Sequence, residues 1–164
     1  MSLDSARSEA ARVAACVDLR DIRVFGLDAN LAAVPDQDLS KMSYTFSSEL
    51  SVQFDQEQAS LIVFGAYVLD VTANAAGADG DSEDEDPVEV ASVRFQLNAL
   101  FEVERVPEGE EFTESELEAF GETTGQFALY PYARELVSDM TGRMGLPSLH
   151  MGVMRLNMNS RTGD

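Results

Sequence analysis

The chain's 164 residues suit a single domain. A chain of this length buries about 70% of the surface its unfolded form exposes, so a core can form without metals or disulfides. Thirty Asp and Glu against eleven Lys and Arg give a formal net charge of -19. That charge repels phosphate backbones and anionic membrane surfaces, so neither a nucleic acid nor a membrane is expected as a partner.

Residues 3–16 are rich in Ala, Arg and Glu and lack Gly and Pro, which predicts a short helix with Asp4 or Ser5 at its N-cap. Val17 to Leu27 reads as a strand whose apolar phase breaks near Asp21, as a β-bulge would make it do. Ala32 to Lys41 is a loop. From Ser43 to Phe54, Tyr44, Phe46, Leu50, Val52 and Phe54 share one parity and polar residues the other, the pattern of a strand with one apolar face. Ala59 to Ala73 is apolar on both parities and reads as a central strand. Asn74 to Pro87, with the acidic run Asp79 to Asp86, is an exposed loop, and Val88 to Val103 alternates again.

The last third changes period. Thr113-Glu114-Ser115-Glu116 has the form of a capping box and opens a helix to about Phe120, which Gly121 to Gly125 interrupts. Apolar residues at 129, 132, 133, 136, 137, 140 and 144 keep helical spacing; Pro131 places the start of the regular helix near itself, and Gly145 and Pro147 end it. Four strands followed by helices predict an α+β fold: a four-stranded antiparallel sheet, drawn as a meander, with a long helix packed on one face.

Signs of chemistry are sparse. Cys16 stands alone, which rules out an intrachain disulfide, and the single His150 has no partner in sequence to orient it. No phosphate-cradling glycine motif occurs. Asp79, Asp81 and Glu83 start like a calcium loop, but Asp84 stands where glycine is needed and Val90 where the bidentate glutamate is needed. No catalytic residue, metal site or cofactor is therefore expected. The segment Met1 to Ala15 has no apolar signal-peptide stretch, and the longest apolar region, Leu61 to Val71, has strand length, so a cytoplasmic location is the expectation.

What remains is apolar surface. The stripe Tyr44, Phe46, Leu50, Val52 and Phe54 is either core or, if the sheet is incompletely covered, a groove for clients. Gln126-Phe127-Ala128-Leu129-Tyr130-Pro131-Tyr132-Ala133-Arg134-Glu135 resembles the signature of the SecB family of export chaperones, and Gly145-Leu146-Pro147-Ser148-Leu149 is similar to the Gly-Pro-Leu element after it. Asp21-Ile22, Glu49 to Phe54 and Asn98 to Phe101 are similar to the family's strands. Thr123-Thr124-Gly125 and the extension over residues 1–16 look like the SecB-like branch associated with toxin–antitoxin modules.

The resemblance implies a helical extension over 1–16, a SecB-like domain over 17–157 and a flexible tail over 158–164. It implies a homotetramer, a dimer of dimers, joined through the long helix, with Phe127, Leu129, Tyr132, Leu136 and Met140 at the interface. The activity implied is ATP-independent holding of unfolded preproteins or of an antitoxin, with Asp21 facing a possible SecA partner. Phe25 and Arg94 stand where the family's SecA-facing acids would be, and no counterpart of the family's long C-terminal helix is expected. The alternative, from a different class, is a small-ligand carrier or non-catalytic adaptor using the cavity between sheet and helix.

Overall fold

Each change of hydrophobic period marks a change of element in the computed structural model, which describes residues 3–34, 42–73, 87–104, 106 and 111–152. In chain order these are α1 (Leu3–Ala14), β1 (Val17–Leu31), β2 (Met42–Asp55), β3 (Ser60–Ala73), β4 (Val88–Val103), α2 (Glu114–Phe120), a π-helical turn (Gly121–Gly125) and α3 (Gln126–Arg143). Helix α1 begins at Leu3, so Asp4 and Ser5 lie inside it rather than capping it. Most of the expected loops at 32–41 and 74–87, and the tail beyond 152, lie outside the described residues.

The strands form one antiparallel sheet in the order β1-β4-β3-β2. The expected meander holds for β2, β3 and β4. β1 departs from it, because it pairs with β4 and not with β2, in the manner of a Greek key. Two register shifts, between Leu19 and Asp21 and between Val24 and Gly26, make Arg20 and Phe25 the inserted residues of two bulges in β1. Each bulge flips the parity of the residues beyond it. Val17 and Leu19, then Ile22 and Val24, then Leu27, Ala29 and Leu31 therefore all stand opposite the apolar residues of β4 that face the core. A strand that looks out of phase in sequence thus presents one apolar face.

That face continues through Leu61, Val63, Tyr67, Leu69 and Val71 of β3 to Tyr44, Phe46, Leu50, Val52 and Phe54 of β2. The helices cover it. α2 starts with a complete capping box: the Thr113 hydroxyl accepts from the Glu116 amide at 3.3 Å, and the Thr113 amide donates to the Glu116 carboxylate at 2.8 Å. The expected interruption at 121–125 is a correction. The backbone stays right-handed helical through Phe120, Gly121, Gly125 and Gln126, and the Gln126 amide reaches back five residues to the Gly121 carbonyl. Glycine serves here for approach. A Cβ on Gly121 would stand 2.5 Å from Val52 Cγ2, and one on Gly125 would stand 2.9 Å from both γ-carbons of Val63. Helix α3 accordingly starts at Gln126, not near Pro131, which sits inside it on the exposed side. Leu129, Ala133, Val137 and Thr141 carry the buried stripe onward.

Helix α3 ends as Gly145 and Pro147 suggest. Gly145 takes φ +74°, the Gly145 amide bonds to the Gly142 carbonyl, and the Leu146 amide bonds to the Thr141 carbonyl, both at 3.0 Å. This is a Schellman closure with Leu146 buried beneath it. The segment after it folds back along α3: the Leu149 amide donates to the Thr141 hydroxyl at 3.1 Å and the Tyr130 hydroxyl to the Gly152 carbonyl at 2.8 Å.

Candidate functional site: two apolar surfaces on one sheet

The β2 stripe lies at the edge of the helix-covered face, so its side chains are covered from one side only. Tyr44, Phe46, Leu50, Val52 and Phe54 are all half-buried and pack against the core. They are not equivalent. Val52 sits under Gly121, and Phe54 meets Phe112 edge-on at 5.3 Å, so the chain's own helical segment caps this end. At the other end Phe46 stacks on Tyr67 at 5.8 Å, and Tyr67 stacks on Phe95 at 5.0 Å, an aromatic ladder across three strands. The hydroxyl of Tyr67 is buried with no hydrogen-bond partner among the described residues, and desolvation pushes its pKa up to about 12. Burial also raises the Tyr44 phenol.

The residues expected at an oligomer interface divide in three. Leu129 is 0% exposed, in van der Waals reach of a Cβ on Gly65, and serves the core. A side chain with no accessible surface cannot meet another protomer, so its assignment to the interface is corrected. Phe127 is exposed, away from the groove that the remaining residues form. Tyr132, Leu136 and Met140 share one side of α3 and, with Ile22, Val24 and Leu27 of β1, line an apolar groove of about 360 Å³. Arg23, Glu135 and Asp139 stand among the groove's lining residues. Asp139 also holds Arg143 at 2.8 Å. Sequence reasoning missed the β1 half of this groove, because the alternation of Ile22, Val24 and Leu27 is legible only after the bulges are counted.

Asp21 lies on the opposite face of the sheet, where it holds Arg23 at 2.5 Å. Both border a small recess of about 140 Å³ with Phe25, Ile62, Asn98 and Leu100. Phe25, the inserted residue of the second bulge, is 65% exposed.

Under the central strands the space between sheet and helix is filled, with Leu61, Val63, Leu97, Leu129 and Val137 at most 1% exposed, while toward β1 it opens into the groove described above. Among the described residues, no group of three His, Cys, Asp or Glu is placed to hold a metal. Among the described residues, no helix is long and apolar enough to cross a membrane. Among the described residues, the arrangement offers extended apolar contact.

No family model matches the chain. The SecB-like chaperone Rv1957 of Mycobacterium tuberculosis strain H37Rv is 37% identical over 151 residues, which cover 88% of this chain and 81% of the relative. The SecB-like chaperone MT2006 of strain CDC 1551 matches to the same extent. Among solved structures, Rv1957 in complex with a ChAD peptide from the HigA1 antitoxin superposes with a TM-score of 0.74 at 34% identity, covering 94% of this chain and 100% of the other.

Proposed function

The chain belongs to the SecB-like chaperones, and from that premise we propose that it holds an unfolded segment of an antitoxin on the half-covered β2 stripe. The observation that carries this reading is the incomplete cover over Tyr44, Phe46 and Leu50, on a fold shared with a chaperone bound to an antitoxin peptide. Partly exposed aromatic and aliphatic side chains on a sheet edge give many weak contacts and tolerate variation in the bound sequence. A net charge of -19 keeps such a surface soluble and favours basic clients. The holding step uses no nucleotide and no catalysis. Val52 and Phe54 contribute less to client contact, because the helical segment already covers them.

The groove lined by Tyr132, Leu136, Met140, Ile22, Val24 and Leu27 supports self-association through this face. The test is light scattering during refolding of an aggregation-prone client, with oligomer mass measured in parallel. Phe46→Ser and Leu50→Ser are expected to lower client holding at least several-fold at unchanged mass. Leu136→Asp is expected to lower the mass. A wild-type chain that leaves aggregation unchanged refutes the holding function.

A further inference from the structure

An open sheet ends in two free edges, and here the two differ. β1 forms one edge and β2 the other. An edge strand presents a row of unpaired amides and carbonyls onto which another extended chain can add; bulges, charges and prolines blunt that tendency. β1 is blunted: Arg20 and Phe25 are inserted as bulges, and Asp18, Arg20, Asp21, Arg23 and Asp28 load it with charge. β2 is not. Its register against β3 runs without a shift from Met42 to Asp55, it contains no proline, and from Met42 to Phe54 its sole charged residue is Glu49. Among the described residues, the main-chain partners of β2 all belong to β3.

The two faces of β2 define what fits beside it. Tyr44, Phe46 and Leu50 lie on the core side and are half-buried. Ser48 has the same parity, stands opposite Tyr67 and is exposed, so the apolar row has a gap between Phe46 and Leu50. Ser43, Thr45, Ser47, Glu49 and Ser51 form the other row, and all are exposed. Side chains of an added strand alternate as those of β2 do. One of its rows therefore meets the apolar stripe and the gap at Ser48, and the other meets hydroxyls and Glu49. β2 and β3 carry Glu49, Asp55 and Asp70 and neither Lys nor Arg, so bases suit that second row and acids do not. Toward Phe54 the helical segment and Phe112 close in, which leaves Ser43 to Ser51 as the open length of the edge.

We propose that the client segment binds as an added antiparallel strand along the free edge of β2, and that the segment it selects alternates apolar residues with polar or basic ones. The proposal rests on the client-holding function above and gives it a main-chain component. Every pairing in the sheet is antiparallel, and the unbroken register of β2 continues that pattern outward. Main-chain hydrogen bonds hold any sequence that can extend, and the alternation of side chains fixes which row faces the stripe.

The test uses the full chain and fluorescein-labelled peptides of about nine residues, roughly 30 Å of strand, alternating valine with threonine or arginine. One peptide is unmodified. A second is N-methylated at its valines and a third at the intervening residues. Successive amides of a strand point to opposite edges, so the methyls of one peptide face β2 and those of the other face solvent. Binding is read by fluorescence anisotropy, and amide hydrogen exchange of the chain is measured with and without the unmodified peptide. Methylation of one set is expected to weaken binding at least about ten-fold, and of the other less than about three-fold. Alternate amides between Ser43 and Ser51 are expected to slow their exchange. Glu49→Lys, at an exposed position on the polar row, is expected to weaken binding of the unmodified peptide several-fold. Equal affinities of the two methylated peptides, slowing confined to β1, or a chain that slows client aggregation yet binds no peptide, overturns the added strand while client holding stands. A wild-type chain that neither binds the peptides nor slows client aggregation refutes the holding function itself, and the added strand with it.

Discussion

The close seating of the helical segment on the sheet can be tested at Gly125. A methyl group there would stand 2.9 Å from both Cγ1 and Cγ2 of Val63, where carbon atoms rest comfortably at about 3.5–4.0 Å. Val63 cannot yield. It is 0% exposed, it is flanked by Val52 and Ala99 on the neighbouring strands, and its β-branch leaves few rotamers. Overpacking of this kind costs about 1–3 kcal/mol. Replacing glycine by alanine inside a helix returns about 1 kcal/mol. Gly125→Ala is therefore expected to lower stability by up to about 2 kcal/mol net, measured by urea unfolding at one fixed protein concentration so that any assembly contributes equally. Two controls sharpen the reading. Gly142→Ala meets only the exposed Ser148 hydroxyl, at 3.2 Å, and should raise stability by about 0.5–1 kcal/mol. Val63→Ala combined with Gly125→Ala should lose less than the sum of the two single changes, by roughly 1–2 kcal/mol of coupling. A stabilising Gly125→Ala with no coupling to Val63 would refute the proposed contact.

Three more outcomes rest on single features. Tyr67→Phe removes a buried hydroxyl with no partner among the described residues and keeps the stacked rings, so thermal unfolding should show a gain of about 1–3 kcal/mol; a loss would mean the hydroxyl is satisfied in solution. Ala59 holds φ +47° in the turn between β2 and β3, a conformation costing a non-glycine residue about 1–2 kcal/mol, so Ala59→Gly should leave the midpoint of urea unfolding unchanged or raise stability by up to about 1 kcal/mol. The Thr113 amide chiefly holds the Glu116 carboxyl below its ordinary range, against the opposing effect of burial and with help from Arg12. A group depressed in the folded state stabilises above its unfolded pKa and loses that contribution as pH falls through the folded value. Stability should thus drop on acidification below the usual glutamate range, and Glu116→Gln should flatten that part of the profile; an unchanged slope would remove Glu116 from the cause.

The sequence by itself determined the element types, because their signals are local. The parity of Tyr44 to Phe54 made β2, the Thr113–Glu116 pattern made the start of α2, and Gly145 with Pro147 ended α3. The resemblance carried by Gln126 to Glu135 named a family that the comparisons then showed. Long-range contact decided the rest. The π-helical turn looks like an interruption in sequence, since two glycines normally weaken a helix; pressed against Val52 and Val63, the same glycines are what lets the helix continue. Leu129 and Tyr132 share one helical spacing, yet the position of the sheet makes the first core and the second surface. β1 needed its partner most: only the register against β4 shows that Arg20 and Phe25 are inserted, and only that count puts Ile22, Val24 and Leu27 across from Leu136 and Met140 to form a groove. A strand's face is a property of its pairing, and pairing is chosen by the whole sheet.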